Sequence, residues 1–336
     1  MLKNRWKEPD PRIMDWLLES GNPSVRYYTL RDLLGKTERS REVRAAKKEI
    51  MAKGVVPKIL AKQSPEGFWA EKKMFYRSKY KGTTWQLIIL AQLGAEGTDP
   101  RVRKACEFIL HHSQHKEIGG FSVDYSVTKD GGSTGWLIPC LTGNMVWSLV
   151  RLGCLDDPRV RRAIDYLAAT LRCDDKESAP PKEWPYDRFE MCYGRHSCHM
   201  GVGKTLKAFA EIPVSKRGPA VARAIDEAVE YFLRHHIFKK SHDLAKASKP
   251  SWLKFGFPLM YQDDVLEMLE IMAKLEVRDA RLKDAIDLVE SKRGADGRWI
   301  LENTFNGRTI ANIEQKSKPS KWITLKALQV LNFYRG

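Results

Sequence analysis

A helical-hairpin unit recurs about every 60 residues along this chain, and that period restricts the fold more than any other feature. The phrase DPRVRKACEFIL starts at Asp99, DPRVRRAIDYL at Asp157 and GPAVARAIDEAVEYFL at Gly218, with Asp279 of RDARLKDAIDLV in register. The spacings are 58, 61 and 61 residues, and SREVRAAKKEI from Ser40 lies 59 residues before Asp99. A second, more apolar segment keeps the same phase: TTWQLIILAQLG from Thr83, LTGNMVWSLVRLG from Leu141, HMGVGKTLKAFAEIP from His199, YQDDVLEMLEIMAKL from Tyr261 and KWITLKALQVL from Lys321.

The two segment types predict helices in different surroundings. From Asp157 onward, Val160, Ala163, Ile164, Leu167 and Leu171 share one stripe while Arg159, Arg161, Arg162 and Asp165 fall elsewhere, the pattern of a helix with one wet face. Residues 83–93 and 142–152 are apolar almost all round and read as inner helices, covered on both sides. Asp156 and Asp157 read as helix N-caps.

Connecting loops carry a signature of their own. QSPEGFW supplies Gln63, Gly67 and Trp69, QHKEIGGF supplies Gln114, Gly119, Gly120 and Phe121, and RGADGRW supplies Gly297 and Trp299 with Arg293 at the glutamine position. Glycine provides the turn, the ring packs on a neighbouring helix, and glutamine can cap helix ends. These loops resemble the QW repeat of the squalene and oxidosqualene cyclases. With the 60-residue period, the chain resembles the terpenoid cyclase and protein prenyltransferase superfamily over roughly residues 40–336. That resemblance implies an all-α fold, an α/α toroid with inner and outer helices. Residues 1–336 then form one domain with an apolar central cavity and a polar, basic rim, and residues 1–50, with the HEAT-like NPSVRYYTLRDLLGK, complete or cap the ring.

Composition narrows the class. No apolar run approaches the roughly 20 residues that span a bilayer, and MLKNRWKEPDPRIMDW lacks a signal-peptide core, so a cytoplasmic protein is expected, with peripheral membrane contact left open. The six cysteines do not suggest a secreted disulfide framework. The net charge of +16 concentrates in residues 188–254, where 13 Lys or Arg face 6 Asp or Glu. Such a surface suits a diphosphate, an anionic membrane surface or nucleic acid, but no nucleic-acid-binding module is present. Residues 234–257 could form a lid or touch a membrane through Trp252, Phe255 and Phe257.

The segment richest in chemistry is WPYDRFEMCYGRHSCHMGVGKTLK, from Trp184 to Lys207. Thiolate, imidazole and carboxylate are the donors of zinc sites, and a helix N-terminus favours a thiolate. Protein prenyltransferases hold zinc through an Asp-x-Cys-Tyr motif and a histidine in a His-Thr-Cys context. Here Glu190-x-Cys192-Tyr193 and His196-Ser197-Cys198 resemble those motifs, which implies Glu190, Cys192 and His196 as ligands with Cys198 beside them; a different set including His199 stays open, as does no metal. The shared phase of the inner-helix starts would gather Trp85, Asn144, Tyr261 and Asp264 at one mouth. Arg188, Arg195, Lys204 and Lys207 are candidate contacts to an anionic head group, and Tyr193 is a candidate substrate contact.

The leading expectation is an enzyme acting on an isoprenoid or similar amphiphile, with Cys192, His196 and Asp264 as catalytic groups and zinc as a possible cofactor. One alternative is a non-enzymatic helical-repeat scaffold that binds a protein or an anionic membrane. Another is a carbohydrate-active α/α barrel using Asp187, Glu190, Asp263 and Asp264, which would require a polar cavity with exposed aromatic rings.

Overall fold

Most outer helices start on an aspartate or serine cap, Asp-Pro-Arg in three of them, while α11 (Pro219–Arg234) starts on Gly218 without a side-chain cap. The computed structural model describes residues 10–175, 178–193 and 198–336. Asp99 and Asp157 accept the backbone N–H two residues on and also bind the guanidinium of Arg101 and Arg159. Asp10 and Asp279 do the same with Arg12 and Arg281. Arg159 and Arg281 also reach back to Glu107 and Glu230 on the preceding outer helix. These exposed pairs fix geometry more than they add stability.

The outer layer consists of α1 (Pro11–Leu17), α3 (Arg41–Ala52), α6 (Pro100–His112), α8 (Pro158–Thr170), α11 (Pro219–Arg234) and α13 (Lys283–Ser291). The inner layer is α2 (Pro23–Tyr28), continued as a π-helical turn over Thr29–Leu33, then α5 (Thr83–Gln92), α7 (Pro139–Arg151), α10 (His199–Glu211), α12 (Val265–Lys274) and α14 (Lys321–Arg335). Short helices α4 (Val55–Leu60) and α9 (Glu190–Tyr193) lie in connections. Every residue of α5 is buried, whereas α8 buries Val160, Ala163, Ile164, Tyr166 and Leu167 and leaves its other face to solvent.

Inner helices pack in series: α5 on α7, α7 on α10, α10 on α12, α12 on α14, and α14 on α2 and its π-turn. The last gap, between α2 and α5, closes where Tyr28 meets Gly94. A Cβ at Gly94 would stand 2.8 Å from the Tyr28 hydroxyl, and the residue has φ +74°, so glycine serves both the left-handed turn and the close approach. The hairpins thus close into an α/α toroid. The tightest inner contact, α7 against α10, also depends on a missing side chain: a Cβ on Gly143 would lie 2.6 Å from the Lys204 backbone.

The Gly-x-aromatic loops fasten the layers together. Gln63 Nε2 donates to the carbonyls of Gly67 (3.0 Å) and Arg101 (2.9 Å), the latter in the first turn of α6. Gln114 repeats the arrangement toward Gly119 and Arg159. Trp69 and Trp299 are buried, and their indole N–H groups donate to Ile59 and Val289. In each loop the aromatic residue's backbone N–H donates to a threonine hydroxyl on the next inner helix, Thr83, Thr142 or Thr324. At the third loop, Arg293 stacks over Trp299 in place of the glutamine bond.

Candidate functional site

Inner helices have a second face, turned toward the axis of the ring, and on α10, α12 and α14 that face is charged. Lys204, Lys207 and Glu211 follow one another at helical spacing on α10, Glu267, Glu270 and Lys274 on α12, and Lys326 sits on α14. Neighbouring helices present opposite signs at matching levels. Lys204 Nζ lies 2.5 Å and Lys207 Nζ 2.6 Å from the two oxygens of Glu267. Glu211 binds Lys274 at 2.6 Å and Arg151 of α7 at 3.4 Å, and Lys326 binds Glu270 at 2.5 Å.

All of these side chains except Lys204 line a cavity of about 530 Å³ that runs from mid-ring to the C-terminal ends of the inner helices. Arg151, Glu211 and Lys274, each at or near the last residue of its helix, form its mouth, while Lys207 and Glu267 stand deeper. Trp147, Phe257, Trp322, Leu325 and Ile271 supply an apolar wall. Phe257 stacks on Trp322 at 4.2 Å, and Lys207 sits 3.8 Å above the Trp147 ring. The expected apolar lumen is therefore corrected: ion pairs cover one side of it. The reason is steric, because the stripe that faces away from the outer helix has only the lumen to enter, and charges survive there only with partners.

Protonation follows from burial and pairing. Burial pushes the Lys207 ammonium down to about 8, against the opposing pull of Glu267. Burial alone would lower Lys204, but Asp263 and Glu267 outweigh it and hold its pKa above the usual lysine value. Glu267 is driven well below the carboxylate range, because its two lysines outweigh its burial. Asp263, 2.9 Å from Lys204, is pushed up to about 7 by burial in spite of that lysine.

The opposite end of the ring, where the inner helices start, is plugged. Tyr80 packs on Phe305 at 4.2 Å and on Trp85 at 5.0 Å, its hydroxyl reaches Tyr261, and Arg308 lies over its ring. Residues placed at a mouth by the sequence reading consequently have other roles. Trp85 is buried and donates to the Tyr76 carbonyl, and Asn144 is buried and donates to the Met260 carbonyl. Tyr193 is buried against Tyr166, hydroxyl to hydroxyl at 2.9 Å. Asp264 caps α12, accepting from the backbone N–H of Glu267 (2.8 Å) and of Gly256 (2.9 Å). Lys204, offered as a head-group contact, is fully buried in its ion pairs, and Arg188 is exposed and paired with Asp187.

Glu190 is exposed on α9, and Cys192 and Cys198 are half-buried. Burial and the neighbouring Cys198 push the Cys192 thiol up to about 12. His196 and Arg195 lie outside the described residues. His199 turns outward to Tyr231 of α11, 2.5 Å from its hydroxyl. Among the described residues no three His, Cys, Asp or Glu side chains converge as metal ligands would, so the described part of the proposed zinc set does not make a metal site. The four carboxylates of the carbohydrate reading are divided, with Asp187 and Glu190 exposed and Asp263 and Asp264 buried. Trp252, Phe255 and Phe257 are each at most 2% exposed, so they pack under their loop and offer nothing to a membrane. No described helix is long and apolar enough to cross a bilayer.

Lys207 and Phe257 are lumen residues that stand out from sequence context. Trp147, Arg151, Glu211, Glu267, Glu270, Lys274 and Lys326 went unnoticed. Their signal is legible in retrospect: charges spaced three and four apart within otherwise apolar helices, with signs that complement the next repeat.

No family model matches the chain, and no curated protein matches it. Among solved structures it is similar to a protein from Actinoplanes, 15% identical, with 96% of this chain and 97% of that chain covered and a TM-score of 0.46. It is also similar to the apo form of the type II terpene cyclase MstE from Scytonema, 14% identical, covering 93% and 87%, with a TM-score of 0.44. A variant of that cyclase in complex with the substrate geranylgeranyl dihydroxybenzoate is 14% identical, covering 97% and 99%, with a TM-score of 0.41.

Proposed function

We propose that the chain binds an amphiphile with an anionic head group in its lumen, the isoprenoid diphosphates being the class that fits best. Entry is from the C-terminal ends of the inner helices. The observation that carries this reading is the two-sided cavity, in which an aromatic and aliphatic wall faces ion pairs that have more cations than carboxylates. Glu211 holds both Arg151 and Lys274, and Glu267 holds both Lys204 and Lys207. A volume of about 530 Å³ also falls in the usual range of small-molecule sites, roughly 300–1,000 Å³.

If the bound molecule reacts by loss of its diphosphate, negative charge develops on the leaving oxygens. Lys207, Arg151 and Lys326 would meet that charge from fixed positions, which is the arrangement that lowers a barrier of this kind. Zinc has no step in this reading.

Isothermal titration with farnesyl diphosphate, farnesol and a uronate oligosaccharide tests it. Saturable binding of the diphosphate, weakened about tenfold by Lys207→Met and by Lys326→Met, is expected. Absence of binding by the prenyl diphosphate, or wild-type affinity retained in both variants, would overturn it. Tight uronate binding with none of the prenyl compound would move the assignment to sugars.

A further inference from the structure

The seam that closes the ring contains a second cavity. It measures about 310 Å³ and lies behind the partition made by Tyr28, Arg31, Arg151 and Glu211, which it shares with the lumen. On its far side stand Lys47 of α3 and the turn at Gly94 and Ala95. Three cations, Arg31, Lys47 and Arg151, line it against one carboxylate, Glu211.

That carboxylate is already shared, since Lys274 approaches it at 2.6 Å and Arg151 at 3.4 Å. Arg31 is satisfied by Asp32, by the Tyr27 hydroxyl at 2.8 Å and by Glu38 at 3.5 Å. Lys47 differs from both. Its Nζ donates to the Gly94 carbonyl at 2.8 Å and lies 5.1 Å from the Tyr27 ring centre, and no carboxylate stands within 4 Å of it among the described residues. Burial lowers its pKa, and Arg151 and Arg31 lower it further against the pull of Glu96 and Glu38. The two tyrosine rings hold the cations in place, with Arg31 and Lys47 on Tyr27, and Arg31 and Arg151 on Tyr28. A pocket so built has fixed donors, little freedom to relax and an excess of positive charge.

We propose that this seam cavity is a binding site for a phosphoryl oxyanion, seated among Lys47, Arg151 and Arg31. Guanidinium and ammonium groups together match its tetrahedral oxygens, and the partly desolvated setting strengthens each charge-assisted bond. The oxyanion is either free in solution or the head group of a molecule whose body occupies the lumen across the Tyr28–Arg151 partition. The site does not depend on whether the lumen takes a prenyl chain. Because α2 and α3 meet α5 and α7 here, an occupied site also ties the first hairpin to the rest of the ring.

Inorganic diphosphate titrated calorimetrically into the full chain at constant ionic strength tests the site. Saturable binding is expected, about tenfold weaker in Lys47→Met, largely kept in Lys47→Arg and unchanged in Lys283→Met, an exposed lysine outside both cavities. No saturable binding by the wild-type chain would overturn the proposal. So would a loss confined to Lys326→Met, which would place the anion in the lumen. A prenyl diphosphate and its alcohol then separate the sources. A head group in the seam makes Lys47→Met weaken only the diphosphate, whereas a free-anion site lets inorganic diphosphate and the prenyl alcohol bind together without competing. Failure of the lumen reading would appear separately, as lost binding of both prenyl compounds while inorganic diphosphate still binds.

Discussion

The two ends of the toroid share their helices and differ in almost everything else. Where the inner helices begin, Tyr80, Trp85, Tyr261 and Phe305 fill the axis and Asp264 satisfies the start of α12. Where they end, Arg151, Glu211, Lys274, Glu270 and Lys326 surround an open cavity. In a ring, the chain invests its long loops at one end, and those loops become the plug. At the short-turn end no described segment covers the axis, so the inward stripe of each helix must be compatible with water and with its neighbours. Paired charges meet that condition.

Substitutions can break or sharpen this contrast. Glu267→Gln should have the largest effect, leaving Lys207 without a counter-charge in the interior and Lys204 with Asp263 alone. Removing one partner of a buried pair costs about 3–5 kcal/mol, so chemical denaturation should show a loss of that order. Tyr80→Ala at the plugged end should cost about 3 kcal/mol through lost packing, with ligand affinity in the lumen unchanged. Equal loss of affinity in that variant would mean the plug is part of the site. Lys207→Met should do the reverse. Because Glu267 keeps Lys204, stability should change little, while binding of an anionic ligand falls about tenfold.

The buried acids set a pH signature. Asp263 and Asp264 have folded pKa values raised to about 7 from 3.8, so the native state holds more protons than the unfolded chain between those values. Stability contributed by these groups is therefore full below about pH 4 and is lost as pH rises through 7. Glu267, depressed in the folded state, works in the opposite sense: its contribution is full above about pH 4.5 and is lost progressively as pH falls below that. Melting temperature should fall between pH 5 and pH 8, and Asp263→Asn should flatten part of that slope. A curve flat over this window in the wild type would contradict the burial assigned to both acids. The smallest effect belongs to Arg188→Ala. Its side chain is exposed and, among the described residues, paired with the adjacent Asp187, so stability should stay within about 0.5 kcal/mol and binding should be unaltered.

How legible each part was in the sequence depended on whether its signal was local. Asp99-Pro100-Arg101 and Gln63-x3-Gly67-x-Trp69 act within a few residues, so their spacing reveals cap, turn and ring period before any coordinates. Even there one copy is easy to pass over: Asp10-Pro11-Arg12 starts the outer helix that packs on α14, at a place the 60-residue register does not reach. The cavity is non-local. Lys207 and Glu267 are 60 residues apart, and Lys326 and Glu270 are 56, so their pairing appears only when successive repeats are laid side by side. Shared phase correctly gathers the starts of the inner helices, but phase says nothing about which end the loops fill. That is why Trp85, Asn144 and Asp264 read as a mouth and turn out to be wall and cap.

A crystal structure of the complex with farnesyl diphosphate would test the central claim most directly. The account predicts density for the prenyl chain against Trp147, Trp322 and Leu325, with the diphosphate toward Lys207, Lys326 or the Arg151 partition. Density at the other end, against Tyr80, Tyr261 and Phe305, would contradict it.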